Sequence, residues 1–397
     1  MSGELNSIYN NISFALGLHT AALARLQEQA ATGSRVNRIS DDPSAAYQIL
    51  NLNMQTNRLG NYIDTITNLS DTLEVSSTAI QAMSSSMTEV QKVVSQVSSG
   101  TYDQQARERT SQQIDDILEQ MILLANSQHL NQYIFGGTNS TVAPYAVERT
   151  DGKITAVSYQ GSSEDRNIEV APAVQANIFY VGEEIFRSDK PQTPLFEGIT
   201  GAKAGTGTSS VKGDVWLTVI YDGSNYQISI DDGATYTTVP SGGQANQAVT
   251  DSITGRVLYV DTTEITSTGV EMVRVPGSYD VFNTLISVRD ILANERDLDS
   301  EHIKQLCKNA MEAVDEVQNL LIQANVSVGA RTSFLEEFKN NLTDVKYNAE
   351  DETSRIEDAD ITQIAIDLSR HQLLDQMSLS MAAQMLSMSL LDYIVQP

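Results

Sequence analysis

The chain has 397 residues, of which 41% are hydrophobic and 6% aromatic, and 51 Asp+Glu against 25 Lys+Arg give a formal net charge of −26. So acidic a surface excludes nucleic acid and anionic lipid as partners, since both recruit basic patches. The single cysteine, Cys307, excludes an internal disulfide and a Cys-ligated zinc site.

No apolar run reaches the roughly 20 residues that cross a bilayer, so membrane insertion is not expected. Met1–Tyr9 has neither the basic nor the apolar stretch of a secretory signal, so an ordinary secretory signal is not expected there. Along the first thirty residues Leu5, Ile12, His19 and Leu26 alternate with Ile8, Ala15 and Ala22, while Leu16, Leu18 and Leu23 lie off that seam. A helix apolar on more than one side cannot satisfy itself with one partner.

Ser40-Asp41-Asp42-Pro43-Ser44 reads as a helix start, with Asp42 as N-cap and Pro43 at the first helical position. Leu52, Leu59, Ile66, Leu73, Ile80, Met87 and Val94 then recur every seventh residue. A second row, Tyr62, Leu69, Ser76, Met83, Val90 and Val97, runs three places on, with one polar member. This is a coiled-coil seam, and Gly100 ends it. A second helix is expected from Asp103 to about Gln128, with Ile114, Ile117, Met121 and Leu124 on one face, forming an antiparallel hairpin with the first.

The middle is different in kind. Of 23 glycines 17 fall between Gly136 and Gly277, and six of eight prolines between Pro144 and Pro276. Helix breakers crowd there and are sparse on both flanks. Tyr145–Thr150, Lys153–Tyr159, Trp216–Tyr221, Tyr226–Ile230, Thr235–Val239, Val257–Val260 and Val270–Val275 read as strands. Asp151-Gly152, Asp222-Gly223 and Asp232-Gly233 supply the hairpin turns.

Heptads return with Ile303, Ala310, Val317 and Ala324 beside Leu306, Ala313 and Leu320, then Leu335, Leu342, Ala349 and Ile356 with Phe338 and Val345. Ordering each backbone residue costs about 1–2 kcal/mol, so the long first seam needs a partner of matching length. Residues 303–356 are the remaining stretch long enough. The last segment carries Ala365, Leu379, Leu386 and Tyr393 on one row, with Leu368, Met377, Met381, Met385 and Met388 elsewhere.

The fold class is therefore α+β multidomain: a long antiparallel coiled helical bundle built from both chain ends, with an inserted β-rich domain and terminal helices that order on assembly. Its parts are 1–42, an assembly helix and connecting loop; 43–140, a coiled-coil hairpin; 141–280, a variable β-domain; 281–358, helices packing on 43–140; and 359–397, a second assembly helix. The intramolecular seam comprises Leu52, Leu59, Ile66, Leu73, Ile80, Met87 and Val94 with Ile303, Leu306, Val317 and Leu320. The candidate assembly interface comprises Leu5, Ile8, Ile12, Leu16, Leu23 and Leu26 at one end. At the other it comprises Leu379, Met381, Met385, Leu386, Leu390 and Tyr393. Arg35 and Arg38, before the acidic cap, are candidates for inter-subunit ion pairs or else solvated charges.

Nothing points to catalysis, a metal or a cofactor. His19, His129, His302 and His371 are scattered, Cys307 reads as a small core residue, and Gly201–Gly213 lacks the Lys-Ser/Thr ending of a phosphate loop.

Three stretches carry a resemblance to the bacterial flagellin superfamily. Thr32–Pro43 resembles the loop between the terminal and the long coiled helix in flagellins and hook-associated proteins. Asn131–Thr138, with Pro144-Tyr145 and Tyr159-Gln160-Gly161, and the end Ser387–Ile394, are similar to the superfamily's hook–filament junction subunits rather than to filament flagellin. Gly198–Gly213 is an extra glycine- and serine-rich stretch. The resemblance implies a structural subunit exported through the flagellar type III apparatus and located in the extracellular flagellum. Its implied partners are its own copies in a ring layer, hook-associated protein 1, flagellin, and an export chaperone on the C-terminal segment. A filament flagellin, or a secreted adhesin-like β-domain on a coiled-coil stalk, are the alternatives.

Overall fold

The computed structural model describes residues 2–395 apart from 101 and 165, and of residues 2–9, 177–179 and 385–395 the backbone alone. The first helices are α1 (Ser2–Thr32), α2 (Pro43–Ser99) and α3 (Gln104–Ala125). Strands β1 (Gln128–His129), β2 (Gln132–Tyr133), β3 (Tyr145–Thr150), β4 (Lys153–Tyr159), β5 (Arg166–Ala171) and β6 (Val174–Phe179) precede a short helix, α4 (Gly182–Phe186). Then come β7 (Leu195–Glu197), β8 (Lys203–Ala204), β9 (Gly213–Tyr221), β10 (Tyr226–Ser229) and β11 (Thr237–Thr238). After β12 (Gln247–Thr250), β13 (Val257–Asp261) and β14 (Gly269–Val275), the chain closes with α5 (Val281–Ala293), α6 (Ser300–Glu357) and α7 (Ile361–Val395). It divides into two compact units, 1–65 with 338–397, and 66–337.

In the second unit the α2 seam is dry: Ile66, Leu73, Ile80, Met83, Met87, Val90 and Val94 have no exposed surface. The polar member Ser76 is buried too, and its hydroxyl donates to Thr72 O at 2.9 Å, which removes the cost of burying it. Across from it α6 buries Ile303, Leu306, Cys307, Ala310, Ala313, Val314, Val317, Leu321 and Val328. Polar side chains beside the seam tie the antiparallel pair: Ser77 donates to Asn325, Gln318 to Ser84 and Gln91 to Asp315, at 2.8–2.9 Å. Leu320, expected on the seam, is half-buried and Leu321 takes the inner place. The helix turns about 100° per residue, and the inner position drifts off a strict heptad.

Helix α3 returns along α2, with Gln113 donating to Glu89 at 2.8 Å. It buries Ile114, Ile117, Leu118, Met121 and Ile122, with Leu124 half-buried. Its start is capped by Asp103, which accepts from Ala106 N at 2.7 Å. Leu52 and Leu59 belong to the other unit and are half-buried. Both precede the stretch that has no exposed surface.

The β-region holds a five-stranded antiparallel sheet of order β11-β10-β9-β14-β7 and a three-stranded sheet β12-β13-β8, with β3-β4, β5-β6 and β1-β2 as hairpins. Leu217, Val219, Ile228, Val273 and Val275 from the first sheet and Val249, Leu258 and Val260 from the second share one core. Asp151 (φ +51°) and Gly152 (φ +85°) make the β3–β4 turn. Thr235–Val239 shortens to β11. Strands β5, β6, β7, β8 and β12 were not expected from the sequence, whereas α5 falls within 281–358, where helices were expected.

Candidate assembly surface

In the unit that holds both chain ends, α1 and α7 pack against each other. On α1 the half-buried side contains Ile12, Ala15, Leu16, His19, Ala22, Leu23 and Leu26. On α7 the covered side runs through Ile364, Leu368, His371, Asp375, Ser378 and Ala382. At its middle His19 Nδ1 lies 3.4 Å from His371 Nδ1. Ala365 and Leu379, on one of the apolar rows of α7, lie off this covered side and are exposed. The true inner face includes polar members, so hydropathy alone hid it.

The outer sides are apolar and open. Phe14 (69% exposed) and Leu18 stand on α1; Ile361, Ile366, Leu373, Met377, Leu379 and Met381, each more than half exposed, stand on α7. Of the candidate interface residues, Leu379 and Met381 are therefore exposed, whereas Ile12, Leu16, Leu23 and Leu26 are turned to the inner side. The side chains of Leu5, Ile8, Met385, Leu386, Leu390 and Tyr393 lie outside the described residues. The sequence reading missed Phe14, Ile361, Ile366 and Leu373. Their signal was the i, i+4 spacing of Phe14 with Leu18 and of Leu373 with Met377 and Met381, off the heptad row. Each large side chain left open forgoes about 1.5–3 kcal/mol of burial.

Arg35 and Arg38 sit in the loop between α1 and α2, which Gly33 opens at φ +74°. Arg35 donates to Asp42 Oδ2 at 3.2 Å and to Ile356 O at 3.0 Å, and Arg38 reaches both oxygens of Glu28 at 3.1 and 3.2 Å. Both guanidinia are therefore paired within the chain. The loop is also pinned to the α6–α7 turn: Arg35 N donates to Glu357 O at 2.6 Å and Ala359 N to Gly33 O at 2.9 Å. Asp42 caps α2 as expected, accepting from Ala45 N at 3.0 Å. That N–H, and then Arg35, hold its carboxyl below the usual carboxylate range.

In the other unit Asn131–Thr138, Pro144-Tyr145 and Tyr159-Gln160-Gly161 converge. Phe135, Tyr145 and Tyr159 join Phe186 and Phe282, with ring centroids 4.7–6.2 Å apart. Tyr159 Oη donates to the carbonyls of Phe135 and Ser162, both at 3.1 Å. Gly137 (φ +61°) fits beneath, where a Cβ would stand 2.6 Å from Ser162 O. Cys307 is core, and burial pushes its thiol up to about 12, far from a reactive thiolate. Among the described residues no three His, Cys, Asp or Glu side chains gather as a metal site, and no helix is long and apolar enough to cross a membrane.

Residues 4–140 match the bacterial flagellin N-terminal helical region and residues 311–394 the bacterial flagellin C-terminal helical region. The chain belongs to the bacterial flagellin superfamily. Within it, the chain is 28% identical over 162 residues to flagellar hook-associated protein 3 of Escherichia coli K12, covering 41% of this chain and 49% of that protein. To its namesake in Salmonella typhimurium it is 27% identical over 165 residues, covering 41% and 50%. The chain spans about half the length of the curated relatives it matches. Its fold resembles the crystal structure of flagellar hook-associated protein 3 from Legionella pneumophila, with a TM-score of 0.52 at 15% identity over 78% of this chain and 99% of that one. It also resembles FlgL of Xanthomonas campestris, with a TM-score of 0.50 at 17% identity over 75% and 96%.

Proposed function

We propose that the chain is a structural subunit of the bacterial flagellum that forms the junction between the hook and the flagellin filament. The observation that carries this reading is the open apolar stripe on α7 and its counterpart on α1, on helices whose other sides already cover each other. Such surface is stable in water only when another chain covers it. The hook-associated relatives supply the setting in which copies of the chain supply that cover for one another.

In this reading residues 1–42 and 359–397 are the assembly segments, 43–140 and 281–358 the rigid wall, and 141–280 the variable insert. The subunits form a ring layer, receive hook-associated protein 1 on one side and flagellin on the other, and reach the site through the flagellar export apparatus. An export chaperone takes the C-terminal segment, whose Met377 and Met381 are exposed one turn apart and adapt to more than one partner. The test is deletion of the gene in the source bacterium. Bare hooks and monomeric flagellin in the medium are expected; intact filaments on every cell refute the reading. Sheared flagella should hold the chain as a trace component, whereas a bulk component would make it a filament flagellin.

A further inference from the structure

His19 and His371 stand 352 positions apart in the sequence, and the fold of the unit that holds both chain ends brings them together. Each is half-buried on the inner side of its helix, His19 on α1 and His371 on α7. Their Nδ1 atoms are 3.4 Å apart, and their rings are tilted by 55° with centroids 5.5 Å apart. As a hydrogen bond the pair is poor. One imidazole has to donate and the other accept, and 3.4 Å lies beyond the roughly 2.7–3.2 Å of a good bond from an N–H. As a pair of metal ligands the separation fits. A tetrahedral ion with bonds of about 2.0–2.1 Å to imidazole holds two such nitrogens about 3.3–3.4 Å apart.

The surroundings favour a cation. Asp375 lies one turn beyond His371 on the covered side of α7, and its Oδ1 is buried with no hydrogen-bond partner among the described residues. A buried carboxylate oxygen left in that state is stabilised by positive charge nearby. Asp367, one turn before His371, is half-buried and accepts from Gln363 at 3.0 Å. Arg370 precedes His371 in sequence but is exposed, turned away from the covered side. The net charge of −26 also raises the concentration of cations around the chain.

We propose that His19 and His371 bind a divalent transition ion, zinc being the type case, through their Nδ1 atoms, with water completing the coordination. Imidazole nitrogens select such ions over magnesium and calcium, which take oxygen ligands. Among the described residues no third His, Cys, Asp or Glu joins them as a ligand. The site is therefore open and exchangeable rather than a closed structural one. Because one ligand comes from each helix, a bound ion clamps α1 to α7 and stabilises their pairing by linkage.

The experiment is a calorimetric titration of the full, tag-free chain with zinc chloride and, separately, magnesium chloride. Hydrogen exchange with and without zinc then localises the effect. One zinc per chain at the tightest site is expected, with magnesium silent there, and exchange should slow in α1 and α7 but not in the β-region. His19→Gln and His371→Gln should each weaken zinc binding about tenfold or more. The double variant should lose little beyond either single one, because the two rings act as one unit. His302→Gln, on α6 in the other unit, should bind like the parent. The zinc-free variants give up only a long contact and should melt close to the parent, which keeps lost binding distinct from misfolding. Zinc binding retained by both single variants, equal binding of magnesium, or unchanged exchange in α1 and α7 each overturns the proposal. Flagellar assembly plays no part in the readout, so its outcome is independent of the junction role.

Discussion

Leu73 is the sharpest place to test the helical core, because it sits mid-seam on α2 with no exposed surface. Leu73→Ala leaves helix propensity intact, since Ala is the best helix former, so the loss is packing alone. For a fully buried leucine that cannot be replaced by collapse, the cost is about 3 kcal/mol or more. In a unit of this size each kcal/mol moves the midpoint about 2–4 °C, so the melting temperature should fall about 10 °C. Circular dichroism at the helix band follows the transition, and calorimetry gives the enthalpy. The matched control is Leu123→Ala, on the open side of α3 at 73% exposure, which should change stability by less than about 0.5 kcal/mol. If the two variants melt together, the seam is not buried in the free subunit and the argument for an intramolecular core fails.

The double variant Leu379→Ser with Met381→Ser should leave the melting of the free chain within about 0.5 kcal/mol of the parent while abolishing incorporation into flagella, scored by complementation of a deletion strain; unchanged incorporation would remove the outer face of α7 from the interface. Asp231 gives a pH test. It accepts from Ser229, Thr235 and Ser252 through contacts of 2.5–3.2 Å; burial alone pushes its carboxyl up, but these donors outweigh it and hold it well below the usual range. A carboxyl depressed in the fold contributes stability above its unfolded pKa of about 4 that is lost as pH falls through the folded value, so Asp231→Asn should flatten the loss of melting temperature between about pH 5 and about pH 2, and an equally steep acid limb in the variant would contradict it.

The long helices were legible because a seven-residue period sustained from Leu52 to Val94 has few other physical solutions. The start at Pro43 was legible because Asp42 and Pro43 each suit one position of a helix N-terminus. β4 ran over the expected residues, Lys153–Tyr159, because alternation and an Asp-Gly turn agree there. The β5–β6 hairpin was not legible, since its turn uses Ala173 at φ +63°, a conformation that no residue type there advertises. β7, β8 and β12 are two to four residues long and exist by pairing with longer neighbours. Helix α5, inside the expected helical stretch 281–358, begins at an Asp280 cap and ends at Asn294 with φ +52°. At the assembly surface the reading took large apolar residues both on and off the heptad rows; on α1 the described ones proved inward, while Leu379 and Met381 on α7 are exposed.

Charge decides what remains open about Arg35 and Arg38. Copies of a chain carrying −26 repel one another, and apolar stripes must overcome that repulsion before they meet. Both arginines already spend their charge on Asp42 and Glu28 of their own chain, with exposed side chains. Pairs of that kind contribute about 0–1 kcal/mol and are screened. Raising salt from about 10 mM to about 100 mM shortens the Debye length from about 30 Å to about 10 Å. If burial drives association, screening should remove repulsion and promote self-association of the full chain, measured by sedimentation velocity. If inter-subunit ion pairs at Arg35 and Arg38 drive it, the same step should weaken association, and Arg35→Gln with Arg38→Gln should reproduce that weakening at low salt. The intrachain pairing of both guanidinia favours the first result; association that falls with salt would return the two arginines to the interface.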